Sequence, residues 1–430
     1  LKIKKAELHK INTGLSSYLY FPSWYQCPGY EVLKNQNNKN NFNKLYIYLK
    51  YFLHIFRLIK IKTYYNSQIN FDDYETIVVS WASKENFDNN GRYKDKHFNI
   101  KASNDKKIFW YLIFDGVFNF KITDENIKII YLENKLTFFN FNEFFKILYS
   151  LIKLSKLNIG CYFHYLSFYS FYAIGIKNII LKNEYKNLKK IIMPYEGQPF
   201  QNFIFEQIKI KNKNIDTIGV NHSSLSPFPS NMIHRDGSPK KIIVNGTNQK
   251  KIMTNHLNWD EKKIFIKNSL RYSYDVDYNL RGNILFPHNL SNFNDYIKIF
   301  NNFVKNTNLQ FGKMDIKIHP FYTNNSRSLF LKKNFEKIIK KYNNKFDSNI
   351  KEKRVIILGS TTSVVLALEL NIEVIHICAN EIIESFSNDL WEAIEVKNIY
   401  QNVFKYKLNN KNDMIKFRNK ESSFKDYLHL

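Results

Sequence analysis

The sequence predicts an α/β protein of two doubly wound units, each with a parallel sheet, joined by a linker. Three observations predict it. Short apolar runs, each the length of a buried strand, recur between stretches with helical spacing. Most of these runs end in small or polar residues, as strand-end loops do. A stretch carrying Pro227, Pro229, Gly237 and Pro239, residues 225–240, divides the pattern in two and reads as a linker.

In the first part, Leu45 to Ile61 reads as a helix whose polar residues Lys50, His54, Arg57 and Lys60 form a narrow stripe on a broadly apolar cylinder. That pattern fits a helix lying on an anionic membrane surface, and equally a core helix with one wet edge. Strands are expected at Tyr74–Ala82, Lys107–Phe114 and Ile127–Leu132, then a helix at Asn142–Leu154. Lys190–Met193 is a strand running into Pro194-Tyr195-Glu196-Gly197-Gln198-Pro199-Phe200, with a helix from Gln201 to Ile210. Ile215–Val220 is the next strand and ends at Asn221-His222-Ser223-Ser224.

The second part repeats the logic. Lys241–Val244 is a strand, Asn245–Asn248 a small-residue loop, and a helix follows. Asn283–Phe286 leads into Pro287-His288-Asn289 and a helix at Phe293–Val304, and Met314–Ile318 ends at His319-Pro320. Val355–Leu358 is wholly apolar, Gly359-Ser360-Thr361-Thr362-Ser363 breaks it, Val364–Leu370 has helical spacing, and Ile372–Ile377 is a strand again. A helix at Asp389–Val396 and a tail close the chain. Two Rossmann-like units are therefore expected, 1–230 and 231–395, with 396–430 as a tail returning to the first unit.

Length and composition bound the function. The chain has 430 residues, 44% of them hydrophobic, enough for two substantial cores. Its formal charge of +26 draws it to anionic membranes, nucleic acid or acidic substrates. The lysines are dispersed and no Gly-aromatic RNA-binding motif or zinc finger occurs, so a nucleic-acid partner is not expected. Three cysteines, Cys27, Cys161 and Cys378, form neither a disulfide framework nor a zinc site, which fits a reducing cytoplasmic setting. No uncharged run reaches transmembrane length, so any membrane association is expected to be peripheral.

Ligands of open parallel sheets bind beyond the carboxyl ends of the strands, which places Glu196 and His222 in candidate catalytic positions. A carboxylate there can take a proton from a sugar hydroxyl as a general base. The plainer readings are a helix-start acid for Glu196 and a satisfied loop histidine for His222. In the second part, four loops are expected to converge: Asn245-Gly246-Thr247-Asn248, Pro287-His288-Asn289, His319-Pro320 and Gly359–Ser363. They offer imidazoles, backbone amides and hydroxyls without a carboxylate cluster, which suits a phosphate held without a metal. His319 can give a hydrogen bond or proton to a phosphate oxygen, with Pro320 fixing its aim. Ser360, Thr361, Thr362 and Ser363 read equally as a hydroxyl-rich helix cap.

Lys317-Ile318-His319-Pro320 followed by Gly359-Ser360-Thr361-Thr362-Ser363 resembles the His-Pro and Ser/Thr motifs of bacterial sialyltransferases and related Kdo transferases. The resemblance implies a GT-B fold and a CMP-activated acidic sugar as co-substrate, with no other cofactor. It implies that His319 and the Ser/Thr loop bind the donor phosphate. The family's acidic-acidic-Gly motif has its nearest match in Tyr195-Glu196-Gly197, with Tyr195 where a second acid is expected, and implies Glu196 as base. The PYEGQPF stretch and the KIFWYLIFD strand also look like bacterial surface-carbohydrate biosynthesis proteins. Together these imply transfer onto a surface polysaccharide or glycolipid at the inner face of the cytoplasmic membrane. A CDP-glycerol-type polyol-phosphate transferase, a UDP- or GDP-sugar transferase, and more distantly a basic nucleic-acid-binding or scaffold protein are the alternatives.

Overall fold

The computed structural model describes residues 60–65, 71–114, 118–133, 186–272, 274, 276–287, 293–319, 325–347, 349–409, 418 and 423–430. The expected helix at Asn142–Leu154, Cys27, Cys161, His288 and Pro320 lie outside them, as does the expected helix at Leu45–Ile61 except for its last two residues. Those two, Lys60 and Ile61, open a strand.

The first sheet has eight strands: β1 (Lys60–Tyr65), β2 (Thr76–Ala82), β3 (Ile108–Phe114), β4 (Ile127–Glu133), β5 (Lys190–Pro194), β6 (Asp216–Val220), β7 (Lys241–Val244) and β8 (Ile264–Ile266). Their order is β1-β4-β3-β2-β5-β6-β7-β8. Among the described residues seven run parallel, and only β1 is antiparallel, against β4. Burial explains the apolar runs: every residue of β3 is buried, as expected where both faces of a sheet are covered. Helix α1 (Pro199–Lys211) connects β5 to β6, and α2 (Thr247–His256) connects β7 to β8.

The second sheet contains β9 (Asn283–Phe286), β11 (Asp315–Ile318), β13 (Val355–Leu358), β14 (Val374–Ile377), β15 (Ile394–Tyr400) and β16 (Val403–Leu408), in the order β11-β9-β13-β14-β16-β15. Two short strands, β10 (Phe311–Gly312) and β12 (Phe346–Asp347), pair separately. Helices α3 (Phe293–Asn306) and α4 (Ser326–Lys341) pack together, with Phe300 stacked on Phe335 at 4.2 Å. That pairing adds about 1 kcal/mol beyond the area it buries. α5 (Ser363–Glu369) joins β13 to β14, and α6 (Glu381–Glu384) follows.

Three expectations are corrected. Lys241–Val244, expected to open the second unit, pairs with β6 and belongs to the first sheet, as does β8. The passage to the second sheet therefore lies between Ile266 and Asn283. The Pro-bearing stretch is a packed connection, with Phe228, Met232 and Ile233 buried and the Trp259 indole donating to the Met232 carbonyl at 2.7 Å. Proline restricts a buried crossover as readily as it restricts a linker, so composition alone could not separate the two. The second sheet is also only partly parallel: in place of the helix expected at Asp389–Val396, the chain forms the antiparallel hairpin β15–β16. Its turn uses Asn402 at φ 61°, a left-handed conformation asparagine tolerates.

After β16 the chain reaches the first sheet again. Phe424 packs on Phe98 at 4.9 Å and on Trp110 at 6.3 Å, and the Tyr427 hydroxyl donates to the Asn268 carbonyl at 2.6 Å. Tyr427 opens no new layer; with Phe424 it completes the cluster behind β2, β3 and β4. It lies in the last short helix, α7 (Lys425–Leu428).

Candidate functional site

The order of the first sheet has a switch point. From β2 the chain winds outward through β3 and β4, then returns to place β5 on the other side of β2. Loops leaving the carboxyl ends of β2 and β5 diverge there, the position at which open parallel sheets bind their ligands. Glu196 is two residues past β5, His222 two past β6, and His97 lies in the long connection that leaves β2.

The Glu196 backbone is clamped. Its N–H donates to Gln201 Oε1 at 3.0 Å, and its carbonyl accepts from the Asn231 amide. Gly197 follows at φ 66°, and a Cβ there would lie 2.0 Å from the Asn231 carbonyl oxygen, so only glycine fits. The side chain is set by two neighbours: Gln198 Nε2 donates to Oε2 at 2.9 Å, and His222 Nε2 stands 3.6 Å from Oε1. The carboxylate therefore meets His222 across strands. Gln201, not Glu196, accepts the Gln198 backbone N–H at the start of α1. Glu196 keeps 44% of its side-chain surface open, yet protein crowds it closely enough to raise its carboxyl above the ordinary range. Burial is the main cause, opposed by the Gln198 hydrogen bond and by Arg271.

Tyr195 explains its own departure from an acidic pair. The ring is fully buried against Phe205, its hydroxyl donates to Asn202 Oδ1 at 2.6 Å, and Gly219 is the space it needs. An acid at this position would put a charge where the hydroxyl now bonds Asn202 in the packed core.

His222 is 6% exposed, and its ring meets His97 edge-on at 4.4 Å. Its carbonyl accepts from Ser269 Oγ at 2.8 Å. Burial holds His222 well below the ordinary imidazole range, and neighbouring His97 and Arg271 push the same way. Burial also lowers His97 to about 4, against the opposing pull of Asp95. Nδ1 of each ring is buried with no hydrogen-bond partner among the described residues. His97 is held by a rigid turn: Asp95 Oδ1 accepts from the His97 and Phe98 amides, each at 2.7 Å, and Oδ2 accepts from Ser80 at 2.5 Å and Tyr93 at 2.7 Å. His97, Asp95 and Arg271 were not legible as site residues, because each sits in a long irregular segment where periodicity gives no register.

Because His97 is depressed in the folded state, the unfolded chain binds its proton more readily. Stability is therefore expected to fall as pH drops from 6.5 toward about 4, and this contribution to level off below. Thermal melts across that range on wild type and His97→Gln check it; the variant curve should be the flatter.

The second group of expected residues is divided between the sheets. Asn245, Gly246, Thr247 and Asn248 follow β7 on the first sheet, not the second. Asn248 is a clip: its Nδ2 donates to the Leu390 carbonyl at 2.9 Å and its Oδ1 accepts from the Ala393 amide at 3.2 Å. Asn245 Nδ2 donates to the Asn221 and Ser223 carbonyls, and Gly246 starts α2 at φ 80°. Both asparagines thus hold backbone groups of neighbouring loops.

On the second sheet, His319 follows β11 and the Gly359–Thr362 loop follows β13, with β9 between them. Two strand spacings set these ends about 10 Å apart. Gly359 takes φ 61°, donates its N–H to the Ile377 carbonyl at 3.0 Å, and gives its carbonyl to His376 Nε2 at 2.6 Å. A carbonyl only accepts, so His376 carries its proton on Nε2, and Nδ1 accepts from the Tyr406 hydroxyl at 3.2 Å. Thr361 Oγ1 accepts the Ser363 N–H at 3.2 Å, a local helix-start bond, while Ser360 and Thr362 are half-buried. Among the described residues no group of three His, Cys, Asp or Glu side chains could hold a metal ion.

No protein-family model matches the chain, and no curated protein matches it.

Proposed function

We propose that the chain is a glycosyltransferase of GT-B type that moves an acidic sugar from a CMP-activated donor to a hydroxyl of a carbohydrate or glycolipid acceptor. The observation that carries this reading is Glu196, a carboxylate of raised pKa 3.6 Å from the neutral His222 at the switch point of the first sheet. Glu196 takes the acceptor proton as the acceptor oxygen bonds to the anomeric carbon. The bond from that carbon to the phosphate oxygen breaks, and CMP leaves with the electron pair. His222 and His97 form the uncharged wall that keeps the carboxylate basic, because neither imidazole neutralises it. His319 and the Ser360–Thr362 loop receive the departing phosphate, a role that rests on the motif resemblance and on their common carboxyl-edge position.

The test is a thermal-shift titration with CMP, CDP, UDP, GDP and ADP on wild type and His319→Ala. A nucleotide that binds only the folded chain raises its melting temperature with concentration. CMP is expected to give the largest rise, and His319→Ala to abolish it. A preference for CDP would favour polyol-phosphate transfer instead, and no response to any nucleotide would overturn the transferase reading.

A further inference from the structure

Helix α4 has two faces that call for different surroundings. Leu331, Phe335 and Ile338 are buried against α3 and the second sheet, with Phe335 on Phe300 as its anchor. The opposite face begins with Leu329 and Phe330, 48% and 52% exposed, among the few large apolar side chains open to solvent among the described residues. At helical spacing from them come Lys333, Lys337, Lys340 and Lys341, all exposed. The helix carries six basic residues against one acid, Glu336, and that acid pairs with Lys332 at 3.9 Å.

Each half of this face has a distinct demand. Single exposed leucines are ordinary, but adjacent Leu and Phe at the start of a cationic strip leave contiguous apolar area in water. Basic residues alone would suit any polyanion. Exposed apolar side chains beside them suit a surface with anionic headgroups over hydrocarbon, where the lysines meet phosphate and the Leu–Phe pair enters the acyl boundary. Nucleic acid satisfies the charge and leaves Leu329 without a partner. The helix follows β11 and starts beyond its carboxyl end, so its apolar tip lies on the same edge of the second sheet as His319.

We propose that the outward face of α4 docks the protein on an anionic phospholipid bilayer, with Leu329 and Phe330 inserted and Lys333, Lys337, Lys340 and Lys341 on the headgroups. The inference is independent of the sugar, the nucleotide and the transferase reading.

Sedimentation with vesicles tests it, using the full chain and either phosphatidylcholine alone or equal parts phosphatidylcholine and phosphatidylglycerol. Wild type is expected to bind only the anionic vesicles. The Leu329→Ser/Phe330→Ser variant keeps every charge and is expected to lose about tenfold or more in partitioning. Lys333→Gln/Lys337→Gln is expected to lose a comparable factor. Both pairs of residues are exposed, so circular dichroism melts should match wild type and show that folding is intact. Absence of wild-type binding would overturn the proposal. So would a Leu329/Phe330 variant that binds as well as wild type, because the apolar tip would then be idle. Loss in the lysine variant alone, with duplex DNA competing fully, would mark a general polyanion face and equally overturn it.

Discussion

Replacing Glu196 by Gln is expected to slow sugar transfer by about 10²–10⁴-fold, the usual contribution of a positioned general base. The amide keeps the shape of the carboxyl and can still accept from Gln198, so nucleotide-induced stabilisation should survive. Single-turnover assays beside thermal-shift titrations check both halves. Loss of nucleotide binding together with turnover would mean that Glu196 shapes the site instead of moving a proton. The pH dependence has a definite sign. Because the folded carboxyl is raised, the folded chain holds this proton more tightly than the unfolded chain does. Its contribution to stability is then lost as pH rises above 4.5, the ordinary carboxyl value, through the folded pKa. Glu196→Gln lacks that loss and should melt progressively higher than wild type across the same window. The rate of the wild-type enzyme should rise over that window, as the base becomes free to accept a proton.

The second large effect is on folding. Asp95→Ala is expected to cost about 3–5 kcal/mol, because Asp95 is fully buried and four donors converge on its two oxygens. Alanine leaves two amides and two hydroxyls without their acceptor. Asp95→Asn should cost far less, about 1 kcal/mol. Its carbonyl oxygen can still serve the His97 and Phe98 amides, and the Ser80 and Tyr93 hydroxyls can rotate to accept from its NH₂ group. Denaturant melts of the two variants separate the cases. Equal destabilisation would show that the negative charge, not the hydrogen-bond pattern, is what the turn requires.

The legible parts of this protein are those where one local signal decides. β3 and β13 are wholly buried, so apolar continuity alone revealed them. The placement of Glu196 and His222 side by side was legible because each stands two residues past such a strand. What failed was whatever depended on sheet order. The strand Lys241–Val244 looks the same whether it joins the first sheet or starts the second, and only pairing with β6 decides. The Asn245–Asn248 loop moved with it. The hairpin β15–β16 mixes exposed and buried residues over strands that also satisfy a helical reading, and its turn signal, Asn402, lies outside the segment first read as a helix. His97 entered the site through a turn whose geometry depends on Asp95, a relation that no spacing rule contains.

The return of the chain to the first sheet has a consequence for the order of events during synthesis. Phe424 and Tyr427 sit in the cluster that seals β2, β3 and β4, yet they leave the ribosome after every strand of the second sheet. The earlier half of the protein therefore cannot finish packing while the later half is being made. Phe98 and Trp110 gain their Phe424 cover only then, so the last packing of the first sheet is expected to follow synthesis of the second.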